Sequence, residues 1–304
     1  MNFLRINGDV PLSIPQRLTY IVVNALRNQF PYSQLDEALR VADFVPDTGL
    51  LKDISGTPSP SRALSDLLWR QLQWQSIEHR LGSIHMFDIG CGSGAFGERL
   101  QNWSGERIAT YTGLDVRPNS TWETLASTHA GFRFCVGDAQ NVHDFLTPNT
   151  NLIVSQSALE HVPDDFRLFR SLNRFLSTTT RRILQIHLLP SQGCLRLYRF
   201  HGFRQYTARR LSSLIRLVRA DVRTLLVRLG GAECNSLHAR WITAGDRRST
   251  KPDEYRRELA RAIAEDAGRA NRSPAFYALM METGDDSERT GSLERFLSLR
   301  EAQN

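Results

Sequence analysis

Long apolar runs are missing from this chain of 304 residues, and none reaches the about 18 residues that a membrane-spanning helix needs. The opening stretch MNFLRINGDVPLSIPQ lacks the basic-then-apolar layout and small-residue cleavage site of a secretory signal. Cysteine is scarce and unpaired: the four stand at 91, 135, 194 and 234, with no C-x-x-C among them. That pattern argues against a disulfide framework and against a thiolate zinc site, so reduced thiols in a cytoplasmic protein and no metal are expected. Acids are the scarcer charge, 32 against 38 basic residues. The imbalance is local, because residues 195–228 hold nine arginines against the single acid Asp221, a surplus of eight where the whole chain has six. An anionic partner is therefore expected to meet that segment, whether a phosphate-bearing substrate, RNA or a membrane surface touched peripherally.

What is present is the composition of a folded protein, with 41% hydrophobic and 9% aromatic residues. Residues 1–81 carry helical patterns, at Leu18, Ile21, Val22, Leu26 and at Leu35, Ala38, Leu39, Val41, Ala42. After Gly56-Thr57-Pro58, Ser59 or Ser61 caps a longer helix running to Leu81. Such a leading region either covers a ligand or packs on a sheet edge. Residues 82–283 then alternate between short apolar strands and helical intervals. Strands are predicted at 84–89, 108–115, 132–136, 151–155, 183–189, 237–242 and 275–281, with helices at 95–103, 166–176 and 252–267. Leu211 to Leu229 keeps a period near 3.6 and predicts a helix of about five turns stopped by Gly230-Gly231. The expectation is an α/β fold, a doubly wound, mostly parallel seven-stranded sheet with a helical N-terminal extension over 1–81. Residues 284–304 are predicted to be a mobile tail, apart from a short helix over 293–299.

The chain is organised around Phe87-Asp88-Ile89-Gly90-Cys91-Gly92-Ser93-Gly94. A buried strand here breaks over three alternate glycines into a helix, which brings backbone N–H groups to the carboxyl edge of a sheet. Asp115 ends the next strand, 25 residues after Gly90, where an acid accepts from both hydroxyls of a ribose. Gly90-x-Gly92-x-x-Ala95 also fits a dinucleotide site, so spacing alone leaves NAD open.

The stretch 87–94 resembles the first motif of class I S-adenosylmethionine-dependent methyltransferases, a Rossmann-like fold. Leu114-Asp115, with Val116 behind it, resembles that family's ribose-binding acid, and Val136-Gly137-Asp138-Ala139 its adenine-binding motif. Val154-Ser155-Gln156-Ser157-Ala158-Leu159-Glu160-His161-Val162 resembles the fourth-strand motif that flanks the methionine part of the cofactor. The resemblance implies S-adenosylmethionine as cofactor. Its implied contacts are Asp88, Gly90, Cys91, Gly92, Gly94, Asp115, Val116, Asp138, Ala139, Gln156 and Ser157.

Methyl transfer to oxygen needs a proton acceptor, and His161, following a strand whose carboxyl end faces the cofactor, is the candidate base, with Glu160 beside it. His187, His201, Arg204 and Tyr206 are candidates to bind the acceptor. No Pro-Pro-Tyr type of motif follows the fourth strand, which favours an oxygen over an amino nitrogen. The stretch from Leu189 through Thr207 also resembles methyltransferases of bacterial surface-polysaccharide synthesis, which implies a sugar hydroxyl on a small or glycan-precursor substrate. The arginine–aromatic interleaving of residues 196–206 keeps RNA methylation open. A cofactor-binding protein without catalysis is the remaining alternative. The sequence is silent on oligomeric state.

Overall fold

The computed structural model describes residues 6–29, 35–36, 39–198, 200–218, 221–269, 273–283 and 293–301. The chain runs α1 (Ile14–Gln29), β1 (Leu39–Phe44), α2 (Pro60–Gln71), α3 (Trp74–Leu81), β2 (Ile84–Ile89), α4 (Ala95–Trp103) and β3 (Ile108–Asp115). It continues with α5 (Thr121–Thr128), β4 (Phe132–Val136), β5 (Leu152–Gln156), α6 (Asp165–Thr178), β6 (Leu184–Pro190), α7 (Cys194–Leu197) and α8 (Ala208–Ile215). β7 (Arg223–Leu229), α9 (Ala232–His238), α10 (Pro252–Ala267), β8 (Phe276–Glu282) and β9 (Leu299–Glu301) complete it.

The strands form one sheet in the order β4-β3-β2-β5-β6-β8-β7-β1-β9. Only β8 and β9 run antiparallel to their neighbours. The order reverses direction at β2/β5, the place at the strands' carboxyl ends where open α/β sheets bind ligands. Both faces are covered, which is why these strands read as near-continuous apolar runs. Along β2 the period of two sends Met86 to one core, with Leu67 and Trp69 of α2, and Phe87 to the other, with Phe169 and Leu172 of α6.

Ser59 caps α2 as expected, its hydroxyl accepting from Arg62 N. The long helix is broken at Leu72-Gln73 into α2 and α3. α10 follows the predicted bounds. Four expectations fail. The pattern at Leu39–Ala42 forms strand β1, parallel to β7, so the N-terminal extension is not purely helical and widens the sheet itself. The five-turn helix over 211–229 is α8 followed by β7. A short, fully buried apolar run fits a period of 3.6 as well as a strand, and pairing with β8 decides between them. Residues 237–242 are the end of α9 and a π turn rather than a strand, so β7 is the sixth strand, in chain order, of the sheet's seven-stranded part β2 to β8. Leu293–Phe296 is a 3-10 turn with Leu293 and Phe296 buried, and β9 pairs with β1, so this part of the tail is anchored. Residues 284–292 and 302–304 of that expected tail lie outside the described residues.

α1 turns an unexpected face inward. Tyr20, Val23, Asn24 and Asn28 are buried while Ile14, Leu18, Val22 and Leu26 face solvent. Hydrogen bonds hold it: Tyr20 OH donates to His201 O at 2.7 Å, and Asn24 Oδ1 accepts from Gln205 N at 3.1 Å. The N-terminal segment is thereby strapped across residues 201–207.

Candidate active site

The glycine turn leaves β2 with Gly90, Gly92 and Gly94 at φ of 77°, 55° and 79°, the left-handed region that side chains avoid. A Cβ on Gly90 would stand 2.4 Å from that of Ala158, so this glycine lets the loops after β2 and β5 touch. A Cβ on Gly92 would meet nothing within 4 Å, leaving open space over the turn. The loop is pinned from behind. Trp122 Nε1 donates to Gly92 O at 2.8 Å, and Gly90 N and Cys91 N both donate to Leu114 O.

Asp115 Oδ2 accepts from Gly92 N at 2.9 Å, and Asp115 O from Gly137 N at 2.9 Å. The glycine turn, the end of β3 and the loop after β4 are thus directly bonded. Asp138 is exposed and caps the turn that follows, accepting from Gln140 N. Val116 is held 66% exposed beside Asp115, an apolar surface left uncovered next to a carboxylate. These residues fit a nucleoside, with an acid for sugar hydroxyls, an apolar face for the base and a backbone without Cβ atoms in between. Cys91 has its side chain buried against Gly113, so its part in the loop is through the backbone.

Asp88 lies below this surface. It is buried, Tyr111 OH donates to its Oδ2 at 2.6 Å, and its Oδ1 has no partner. Burial pushes the carboxyl up to about 7, against the Tyr111 bond and with help from Asp115. It braces β2 against β3 beneath the turn, an indirect role where direct contact was expected.

The loop after β5 carries the candidate acid–base residues Glu160 and His161. Gln156 Oε1 accepts from Trp69 Nε1 at 2.8 Å, which ties α2 to the site, and Ser157 sits at φ 53°. Glu160 is 1% exposed, and burial pushes it up to about 7 although His161 opposes the shift. His161 Nδ1 lies 2.7 Å from Asp9 Oδ2, and His201 Nδ1 lies 3.1 Å from Asp9 Oδ1. The two imidazoles meet edge to face at 4.7 Å, and each Nε2 points toward Glu160 Oε1, at 3.9 Å and 3.8 Å. Burial pushes the Asp9 carboxyl up, yet the Gly202 N–H and the two imidazoles outweigh it and hold the group below its usual value. Burial, and the charge of His161, lower His201. Next to this cluster is a cavity of about 120 Å³ whose walls include Ser61, Ser65, Gln156, Ser157, Glu160 and His201.

Three expected acceptor contacts are elsewhere. His187 is fully buried in the sheet, bonded to Ser155 Oγ at 2.9 Å, and burial lowers it to about 3. Arg204 is 2% exposed, and its guanidinium donates to Val162 O and Pro163 O, each at 2.6 Å. Tyr206 is buried and donates to Leu159 O at 3.1 Å. Both Arg204 and Tyr206 hold the loop after β5 from beneath. Only His201 of the four reaches the cavity.

Five of the nine arginines of the basic segment pair with acids of the protein itself. Arg204 and Arg210 pair with Asp165, Arg216 with Asp36, Arg223 with Glu282 and Arg228 with Asp43. The acids lie outside the segment, so a count within it could not find them. These pairings spend much of the charge that the composition of 195–228 offers an anionic partner, while Arg196 stays exposed. Asp9 and Trp69 were missed; Asp9 had no signal beyond the Asn7-Gly8-Asp9 turn.

Fold and turn together make an α/β protein whose sheet edge fits a nucleoside, with two imidazoles and a buried carboxylate on the loops that follow β5 and α7. Residues 87–181 match the family model described as "Methyltransferase domain", and the activity that goes with this stretch is S-adenosylmethionine-dependent methyl transfer. NAD falls away with that match. No curated protein matches the chain significantly. Among solved structures, the plantazolicin methyltransferase BamL is 15% identical over 74% of this chain and 85% of its own, with a TM-score of 0.47. The [4+2]-cyclase SpnF is 14% identical over 76% and 85%, at 0.46. An S-adenosylmethionine-dependent methyltransferase from Archaeoglobus fulgidus is 18% identical over 78% and 100%, at 0.44. Among the described residues, no helix is long and apolar enough to cross a membrane.

Proposed function

We propose that the protein methylates a hydroxyl of a small polar acceptor, a sugar or glycan precursor, with His161 as the base. The observation that carries this is the contact of His161 Nδ1 with Asp9 at 2.7 Å on the loop that follows Gln156-Ser157. A proton held on Nδ1 by Asp9 leaves the Nε2 lone pair on the side of Glu160, which lines the cavity and passes the acceptor's proton on to it. Glu160, buried beside both imidazoles, takes part in the same proton exchange. The cavity walls support a hydroxylated acceptor, since Ser59, Ser61, Ser65, Ser157 and Tyr198 offer hydroxyls and Gln156 an amide. Arg62 stands in the same wall and would read a phosphate on the acceptor.

Bound S-adenosylmethionine supplies a methyl on a cationic sulfur, and its transfer forms a C–O bond as the C–S bond breaks. Asp115 and Val116 would hold the nucleoside end, Asp138 and Ala139 the base, and Gly90 to Gly94, Gln156 and Ser157 the amino-acid end. The protein's tasks are to align the acceptor oxygen, exclude water and take its proton. All four cysteines are free thiols, in keeping with a cytoplasmic protein. Calorimetry with S-adenosylhomocysteine and a methyl-transfer screen over nucleotide sugars, glycans and RNA test this reading. The His161→Ala variant is expected to bind S-adenosylhomocysteine like the parent and to lose turnover. Unchanged turnover removes His161 from the reaction, and labelling of RNA alone removes the acceptor class.

A further inference from the structure

Asp9, His161 and His201 each place one donor atom within 4.8 Å of the other two, across a span from the N-terminal strap to the loops after β5 and β6. The orientation of the rings is specific. Both Nδ1 atoms face the two oxygens of Asp9, at 2.7 Å and 3.1 Å, while both Nε2 atoms face one oxygen of Glu160. Glu160 is 1% exposed, and its Oε2 has no hydrogen-bond partner. A metal-ligating histidine ordinarily donates its second N–H to a carboxylate, and Glu160, at 3.9 Å and 3.8 Å from the two Nε2 atoms, is beyond hydrogen-bond length but placed on the side where that carboxylate would stand.

We propose that Asp9, His161 and His201 form a site for a divalent transition-metal cation, with Glu160 as the carboxylate that receives both outer imidazole N–H groups. Two imidazoles and one carboxylate suit zinc, cobalt, nickel or iron(II), and suit calcium and magnesium poorly. Three protein ligands leave open positions for an oxygen donor. Asp9 is half-exposed on the strap, so the carboxylate has room to back away by the few tenths of an ångström that a bound cation needs. Gly202 fixes the other side. Its φ is 61°, and a Cβ there would stand 2.6 Å from Glu160 O, so His201 and Glu160 are locked in register.

The inference rests on this cleft being the acceptor site. In the metal-loaded protein the cation would bind the acceptor hydroxyl and lower its pKa, with His161 serving as a ligand; the role of His161 as base, with its proton on Nδ1, belongs to the metal-free form. The proton then leaves to solvent as the C–O bond forms. Binding is read independently of methyl transfer, so the two readings fail separately.

The test uses untagged, full-length protein stripped with a chelator and titrated with Zn²⁺ and Co²⁺. Expected are one ion per chain in calorimetry, proton release into weak buffer, and visible Co²⁺ absorption of a four- or five-coordinate site. Asp9→Asn and His201→Gln should each abolish the Co²⁺ spectrum. Glu160→Gln should keep the stoichiometry and weaken binding about 10–100-fold. Thermal unfolding of each variant checks that it is folded, and His201→Gln, at the rim, serves if Asp9→Asn is not. No stoichiometric binding, or binding unchanged in a folded Asp9→Asn or His201→Gln variant, overturns the proposal and leaves the cluster a proton network.

Discussion

Gly92 and Gly90 stand two residues apart in one turn, yet replacing each by alanine should give opposite results. Gly90→Ala puts a methyl 2.4 Å from the Ala158 Cβ at a φ of 77°. The left-handed backbone costs about 1–2 kcal/mol, and forcing a methyl into a packed contact about 1–3 kcal/mol more. The loss of stability should therefore be about 2–5 kcal/mol, read as a lowered urea midpoint. Gly92→Ala carries only the backbone cost, about 1 kcal/mol at a φ of 55°, since its methyl meets nothing within 4 Å. That methyl would project into the space assigned to the cofactor. Overpacking there at about 1–3 kcal/mol lowers S-adenosylhomocysteine affinity about 5- to 150-fold, with the fold intact. Calorimetry on both variants, beside denaturant melts, decides it. Native affinity in a stably folded Gly92→Ala protein would refute the idea that a ligand approaches the backbone at this turn.

Arg204→Ala removes a buried guanidinium that satisfies two carbonyls at 2.6 Å and lies 3.7 Å from Asp165. It should destabilise by about 3–5 kcal/mol, and a loss under about 1 kcal/mol would return Arg204 to the acceptor site. His187 is lowered from 6.5 to about 3 by burial, so between those values the unfolded chain binds the proton and the folded one does not. Its contribution to stability is therefore full above about pH 6.5 and falls as the pH drops toward 3, by about 2 kcal/mol at pH 5. Urea melts at pH 7.5 and pH 5 should show that loss in the parent and not in His187→Gln. An equal loss in both would mean that the imidazole is not the group responsible.

The glycine turn, Asp115 and Asp138 were legible because each is local, a strand that ends on a turn whose backbone only certain residues allow. Their mutual contact follows from adjacent parallel strands, and Gly92 N bonding Asp115 is its outcome. β7 was not legible, since Arg223 to Leu229 becomes a strand only by pairing with β8 on one side and β1 on the other. Arg204, Tyr206 and His187 had side chains capable of binding an acceptor. The burial of Arg204 and Tyr206 depends on how their segment folds back under the loop after β5, and that of His187 on α6 covering β6, neither of which residue type encodes. Asp9 lies 152 positions from the histidine it touches.

By itself the sequence determined the glycine turn and the acid at the next strand end, because backbone geometry within a few residues dictates both; the class of reaction came from the likeness of the motifs, since the spacing alone left NAD open. Only the tertiary structure decided which charges face a ligand. A buried arginine is indistinguishable from an exposed one until its acid is found, and the acids for Arg204, Arg216 and Arg228 come from distant segments. The strap that brings Asp9 to His161 and His201 is of the same kind: its hydrogen bonds to residues 201–205 exist only once the whole sheet has placed both partners.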